Sequence, residues 1–116
     1  MAPSVTQSAL ETRVLRLLDL VNYQDEAVVS REVLRKKTGT VTLFAFDEDQ
    51  RLSEHTAPFD AIAHVIEGDM EITISGEPHR VKDGEFVVMP ADQPHALKAM
   101  AKSKMLLTMI RSPDRS

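Results

Sequence analysis

Ala61-Ile62-Ala63-His64-Val65-Ile66-Glu67-Gly68-Asp69-Met70-Glu71-Ile72-Thr73-Ile74-Ser75 is the stretch on which the fold turns. Two apolar-rich runs flank a Glu-Gly-Asp break, and in the second run Met70, Ile72 and Ile74 alternate with Glu71, Thr73 and Ser75. A period of two sends alternate side chains to opposite faces of a strand, so the first set is expected to face a core and the second solvent. Read as a hairpin about Gly68, the stretch sets Ile66 opposite Met70, His64 opposite Ile72 and Ile62 opposite Ile74. That register turns His64 toward the interior.

Working outward, the same signal recurs from Ala27 onward as short runs ended by Gly, Pro, Asp or Ser. Strands are expected at Val28–Leu34, Thr40–Phe46, Arg51–His55, Ala61–Ile66, Met70–Ser75, His79–Lys82, Glu85–Met89, His95–Met100 and Lys104–Ile110. Eight or nine such strands at roughly 8–12-residue spacing define an all-β sandwich or barrel. After Pro94, His95, Leu97 and Ala99 share one face and Lys98 lies on the other, so His95 is also expected to point inward. His79, set between Glu77 and Arg80, reads as an exposed rim position and is given no role. Residues 13–21, with Val14, Leu15, Leu17 and Leu18, fit a short helix as well as a strand.

At 116 residues the chain fits one domain, with a core over about 27–111 and loose ends at 1–12 and 112–116. A formal net charge of −4 with Lys and Arg scattered along the chain argues against a nucleic-acid partner. There is no Cys, so disulfides and thiolate metal sites are excluded and any metal must be held by His and carboxylate. No apolar run approaches the ~18 residues of a membrane span, and the start, Met1-Ala2-Pro3-Ser4, lacks a secretory pattern, so a cytoplasmic location is expected. No P-loop, Rossmann glycine pattern or Ser/His/Asp order is present.

The segment Gly84-Glu85-Phe86-Val87-Val88-Met89-Pro90-Ala91-Asp92-Gln93-Pro94-His95 resembles the second signature motif of the cupin superfamily. Gly84, Pro90 and His95 stand at that motif's Gly, Pro and His, with Asp92 at its second Gly and Ala99 at its final Asn. Val65-Ile66-Glu67-Gly68-Asp69 is similar to the end of the first motif. There His55 takes the first His position, while Asp49 replaces the leading Gly, Ala57 the second His and Ile62 the Glu. The resemblance implies a double-stranded β-helix, the jelly-roll barrel of a small single-domain cupin, preceded here by a short N-terminal helix or strand.

In metal-binding cupins, the resemblance implies, two His and a Glu of the first motif join one His of the second around a divalent ion. Only His55 and His95 match. His64, inward by the hairpin register, is the candidate third ligand, and three imidazoles suit Zn, Mn, Fe, Ni or Cu with an open position. Glu54 and Asp60 are candidate carboxylates, Asp60 the better placed because Glu54 adjoins His55 and should point away. The alternative is a metal-free pocket in which His55 and His95 close a polar layer and a small-molecule ligand binds. Ile62, Met70, Ile72, Phe59, Met89 and Leu97 are the expected pocket lining, Phe59 as a gate after Pro58. No catalytic residue is assigned. The two function hypotheses are thus a small-molecule-binding barrel and a metal-dependent dioxygenase or isomerase. Small cupins are similar to one another in pairing, which implies a homodimer, with the apolar Val14–Val21 segment as a contact.

Overall fold

Two tight hairpins fix the local geometry. Ser75 and Gly76 both take positive φ, 50° and 82°, which is the two-residue turn whose twist matches the strands it joins. It pairs Ile74 with Glu77 and therefore Ile72 with His79 and Met70 with Val81. The other hairpin turns through Lys37 and Thr38 and sets Lys36 opposite Gly39. In the computed structural model, which describes residues 12–111, the strands are β1 Val28–Lys36, β2 Gly39–Phe46, β3 Arg51–His55, β4 Asp60–Glu67, β5 Asp69–Ile74, β6 Glu77–Lys82, β7 Phe86–Met89, β8 His95–Ala99 and β9 Ser103–Ile110. The expected strands are all present, with ends moved by one or two residues. The undecided segment 13–21 contains a single 3-10 turn, Leu17–Asp19. The expected looseness of the termini falls mostly on residues 1–11 and 112–116, which lie outside the described residues.

The strands form two antiparallel sheets, ordered β1-β2-β9-β4-β7 and β3-β8-β5-β6. Stacked face to face they make the jelly-roll barrel. Its interior is built in rows that follow from the pairing. One end holds Phe46, Met105 and Val65 against Met70, Val81 and Ala99, none more than 4% exposed. Above them lie Leu107 and Ala63 opposite Ile72 and Leu97. The last inner row of the five-stranded sheet is Arg35, Thr40, Met109, Ala61 and Met89. The last inner row of the other sheet is His55, His95, Ile74 and Glu77. The barrel is apolar and closed at one end and polar at its mouth.

The expected hairpin about Gly68 does not form. β4 pairs with β7 and β9, whereas β5 pairs with β6 and β8, so Glu67-Gly68-Asp69 is a corner at which the chain leaves one sheet for the other. Gly68 is required there: its φ is +112°, and a Cβ would come within 2.6 Å of the Lys102 carbonyl oxygen. Its N–H donates to Asp83 Oδ1 at 2.5 Å. Buried Ser103 seals the corner, its hydroxyl accepting from the Asp69 N–H at 2.9 Å and donating toward the Ala101 carbonyl at 2.8 Å. With the hairpin register gone, Ala61, Ala63 and Val65 face the core, and Ile62 and His64 face outward.

The outer face of the five-stranded sheet is half covered. Val21, with Leu20 and Tyr23, packs on Leu43, Ala45, Val29, Ile66 and Leu106. The Tyr23 hydroxyl donates to Glu67 Oε2 at 2.6 Å, and Lys104 Nζ donates to the Leu18 carbonyl at 2.6 Å. Beyond this strap the face is open. Leu34, Val41, Thr108, Ile62 and Val88 form one row across all five strands, with His64 and Phe86 in the next.

Candidate functional site

His55 closes β3 and His95 opens β8, and they are register partners. Leu52 pairs with Leu97, so regular pairing would set Glu54, not His55, opposite His95. A one-residue bulge between Leu52 and His55 corrects this and turns His55 inward. The two rings meet at 69° with centroids 4.4 Å apart, and Nε2 lies 3.2 Å from Nε2. His55 Nδ1 is 2.9 Å from the Ser53 carbonyl oxygen and His95 Nδ1 is 3.3 Å from that of Gln93.

Each Nδ1 faces a backbone carbonyl, the shorter contact being that of His55, and which Nε2 donates to the other is set by which ring carries its proton there. Burial, then repulsion from His55, lowers the His95 pKa below the ordinary imidazole value, opposed by the Gln93 carbonyl. His95 is therefore neutral at pH 7, and the two rings meet with their outer edges at the barrel mouth.

His64 does not join them. It pairs with Phe86 and Leu106 on the outer face of the opposite sheet, so the trio His55, His64, His95 is not assembled. Asp60 is also committed elsewhere, its Oδ1 accepting from the Ala91 N–H at 3.0 Å, and Glu54 is exposed. Among the described residues no three His, Cys, Asp or Glu side chains come together to hold a metal ion. The donor set at the mouth is two imidazoles closed on each other, which does not complete a metal site of the four-ligand kind.

The expected lining divides in three. Met70, Ile72, Met89 and Leu97 are at most 4% exposed and packed in the core beneath the mouth. Ile62 is on the outer face, 37% exposed. Phe59 lines an open cleft of about 460 Å³ with Arg35, Lys36, Lys37, Gly39, Thr40 and Arg111. Two groups escaped the sequence reading. His79 is half-buried and shares the inner face with Ile72, a placement that the Ser75-Gly76 turn signal could have given. The basic cleft escaped because Arg111 is 74 residues from Lys37.

A two-sheet jelly roll with a histidine pair at one end of the barrel defines the class as small single-domain barrel proteins. The model of the cupin domain family matches residues 42–111, and the chain belongs to the cupin family. A conserved protein of unknown function from Streptococcus pyogenes is similar over 97% of this chain and 98% of its own, with 33% identity and a TM-score of 0.86. A cupin 2 conserved barrel domain protein from Leptotrichia buccalis is 34% identical over 84% of this chain and 47% of its own, with a TM-score of 0.81. A cupin superfamily protein from Desulfitobacterium hafniense, 20% identical, shares the fold over 94% of this chain and all of its own, with a TM-score of 0.84. Comparison with curated protein sequences gives no match.

Proposed function

We propose that the chain is a ligand-binding cupin that receives a small organic molecule at the barrel mouth without a metal, the His55–His95 pair serving as its orienting polar contact. The observation that carries this reading is the closure of the two imidazoles on each other at 3.2 Å with no third ligand among the described residues. A pocket of this kind needs few polar groups over an apolar floor, and Ile74, Met89 and Met109 supply that floor beside the pair. A cytoplasmic location belongs to the same proposal, supported by a fold that uses no disulfide.

The test is a metabolite-library thermal-shift screen in chelator, on protein purified without a nickel column, with metal analysis of the same sample. Ligand-dependent stabilisation in chelator that His95→Gln abolishes is the expected result. Stoichiometric Zn, Mn, Fe, Ni or Cu, with turnover that chelation removes, would replace the proposal with the metal-dependent enzyme.

A second proposal concerns assembly: the uncovered outer face pairs with the same face of a second copy. Leu34, Ile62, Phe86, Val88 and Ile110 are 52%, 37%, 60%, 51% and 58% exposed. Five strands at ~4.8 Å spacing give a face about 24 Å wide, whose length along the strands brings it into the range of interaction patches. The row Leu34, Val41, Thr108, Ile62, Val88 carries no charge, so a two-fold self-contact meets no like-charge repulsion there. Light scattering at micromolar concentration should give twice the chain mass, and Phe86→Asp should halve it. A monomer mass for the unsubstituted chain would end this proposal.

A further inference from the structure

Four of the fourteen Lys and Arg residues, three of them consecutive in sequence, gather at one place in the fold. Arg35, Lys36 and Lys37 ride the end of the β1–β2 hairpin, and Arg111, just past β9, lies against them. Among the described residues no carboxylate lines the cleft, in a chain of net charge −4. Arg35 is neutralised by Glu32, which takes its Nε at 3.0 Å and its Nη2 at 2.7 Å. Neither Lys36 nor Lys37 is paired with a carboxylate among the described residues.

Arg111 is held in a way that a freely moving surface arginine is not. Its backbone N–H donates to the Thr38 carbonyl at 2.6 Å and its Nη2 to the Lys37 carbonyl at 3.1 Å. Its guanidinium carbon sits 5.4 Å from the centre of the Phe59 ring. Anchored at one nitrogen and resting on an aromatic face, the guanidinium has its fork oriented before any ligand arrives, which reduces the ordering cost of a two-point contact. Thr40 adds a hydroxyl beside it, and the volume of about 460 Å³ falls within the range of small-molecule sites.

The cleft also opens on the same rim as the histidine pair. Arg35 and Thr40 head the inner row that continues through Met109, Ala61 and Met89 at the mouth. Phe59 lies in the loop that leads from His55, the end of β3, into β4, and the Ala57 carbonyl of that loop accepts from the Asp92 N–H at 2.8 Å, close before His95.

We propose that this cleft is an anion subsite, so that the ligand of this barrel is a small organic anion whose carboxylate or phosphate is taken by Arg111, Lys36 and Lys37 over the Phe59 ring. The ligand class deepens the pocket reading above and rests on it; the anion contact itself stands on the cleft alone. A charge-assisted fork contact reinforced by two ammonium groups gives selectivity for the anionic group, and the remainder of the molecule extends toward His55 and His95.

The test is an NMR titration of the full chain with benzoate and, separately, inorganic phosphate, against sodium chloride at matched ionic strength. Saturable shifts of the Thr38, Gly39, Thr40 and Arg111 amides are expected with at least one of the two probes, and which one responds assigns carboxylate or phosphate. Arg111→Lys, which keeps the charge and loses the fork, and Lys37→Ala, whose side chain makes no ion pair among the described residues, should each weaken binding about tenfold. Shifts that do not saturate, that chloride reproduces, or that survive both substitutions would overturn the anion subsite. Saturation of the hairpin amides with no effect of His95→Gln on any ligand from the library would retain the subsite and defeat the histidine-pair reading instead.

Discussion

The two ends of the barrel are made by the same nine strands and do opposite things. At the closed end Phe46, Met70, Met105, Val65 and Ala99 are fully buried and the polar side chain buried beside them, Ser103, is hydrogen-bonded. At the mouth the inner positions of those sheets include His55, His95, Thr40 and Arg35, half-buried or exposed, beside the apolar Ile74, Met109, Ala61 and Met89. Burial of apolar side chains carries stability, and partly solvated polar groups carry recognition. In the function proposed above the two are separated along the barrel axis, and substitutions at the two ends should have separable effects.

Phe46→Ala should have the largest effect, a loss of about 3–5 kcal/mol, because a fully buried ring leaves a cavity that the surrounding sheets cannot close. Urea unfolding would measure it, and ligand stabilisation of the fraction that remains folded should be unchanged. Gly68→Ala follows, at about 2–4 kcal/mol, since the new side chain meets backbone at a φ of +112°. A loss below ~1 kcal/mol would mean that the corner relaxes freely.

At the mouth the effects turn from stability to pH. The folded state depresses the His95 pKa, so between that value and the unfolded value near 6.5 the unfolded chain binds the extra proton. Stability is therefore fully present above about pH 6.5 and falls as the pH drops toward the folded pKa. His95→Gln should flatten this part of the Tm-against-pH curve while changing Tm little at pH 8. An unchanged slope in the variant would assign the acid sensitivity elsewhere. The smallest effect is expected for Arg80→Gln, which removes the two contacts to Asp69 at 2.9 and 2.6 Å. The pair is largely solvated, and a change under ~1 kcal/mol in urea unfolding is expected.

The strands and much of the inner face were legible in the sequence because β5 and β8 have one apolar and one polar face. β4 was not. Its two faces read Ala61, Ala63, Val65 and Ile62, His64, Ile66, and the larger residues belong to the outer side, where Ile66 packs under the Leu20–Tyr23 strap and Ile62 stands open. A strand flanked by apolar surface on both sides loses the period-two contrast that reports its orientation. The glycine at 68 added to the difficulty, since a sharp turn between two strands reads alike whether they pair or part. His55 and His95 were found by motif spacing, yet their contact depends on a bulge that no residue type announces. His79 was within reach through the Ser75-Gly76 turn, and the basic cleft was not, because it joins the two ends of the barrel sequence.

β9 lies between β2 and β4 and is the strand that makes them one sheet. It is also the last of the nine to leave the ribosome. Until then β1–β2 and β4–β7 are two separate ribbons, each with an unpaired edge on the side that β9 will fill. The barrel therefore cannot be completed progressively during synthesis; it must wait for Ser103–Ile110 and then close in a step dominated by contacts between distant parts of the chain, the kind of topology that folds slowly. A nascent chain stalled before β9 would present those two edges to chaperones and to other copies of itself.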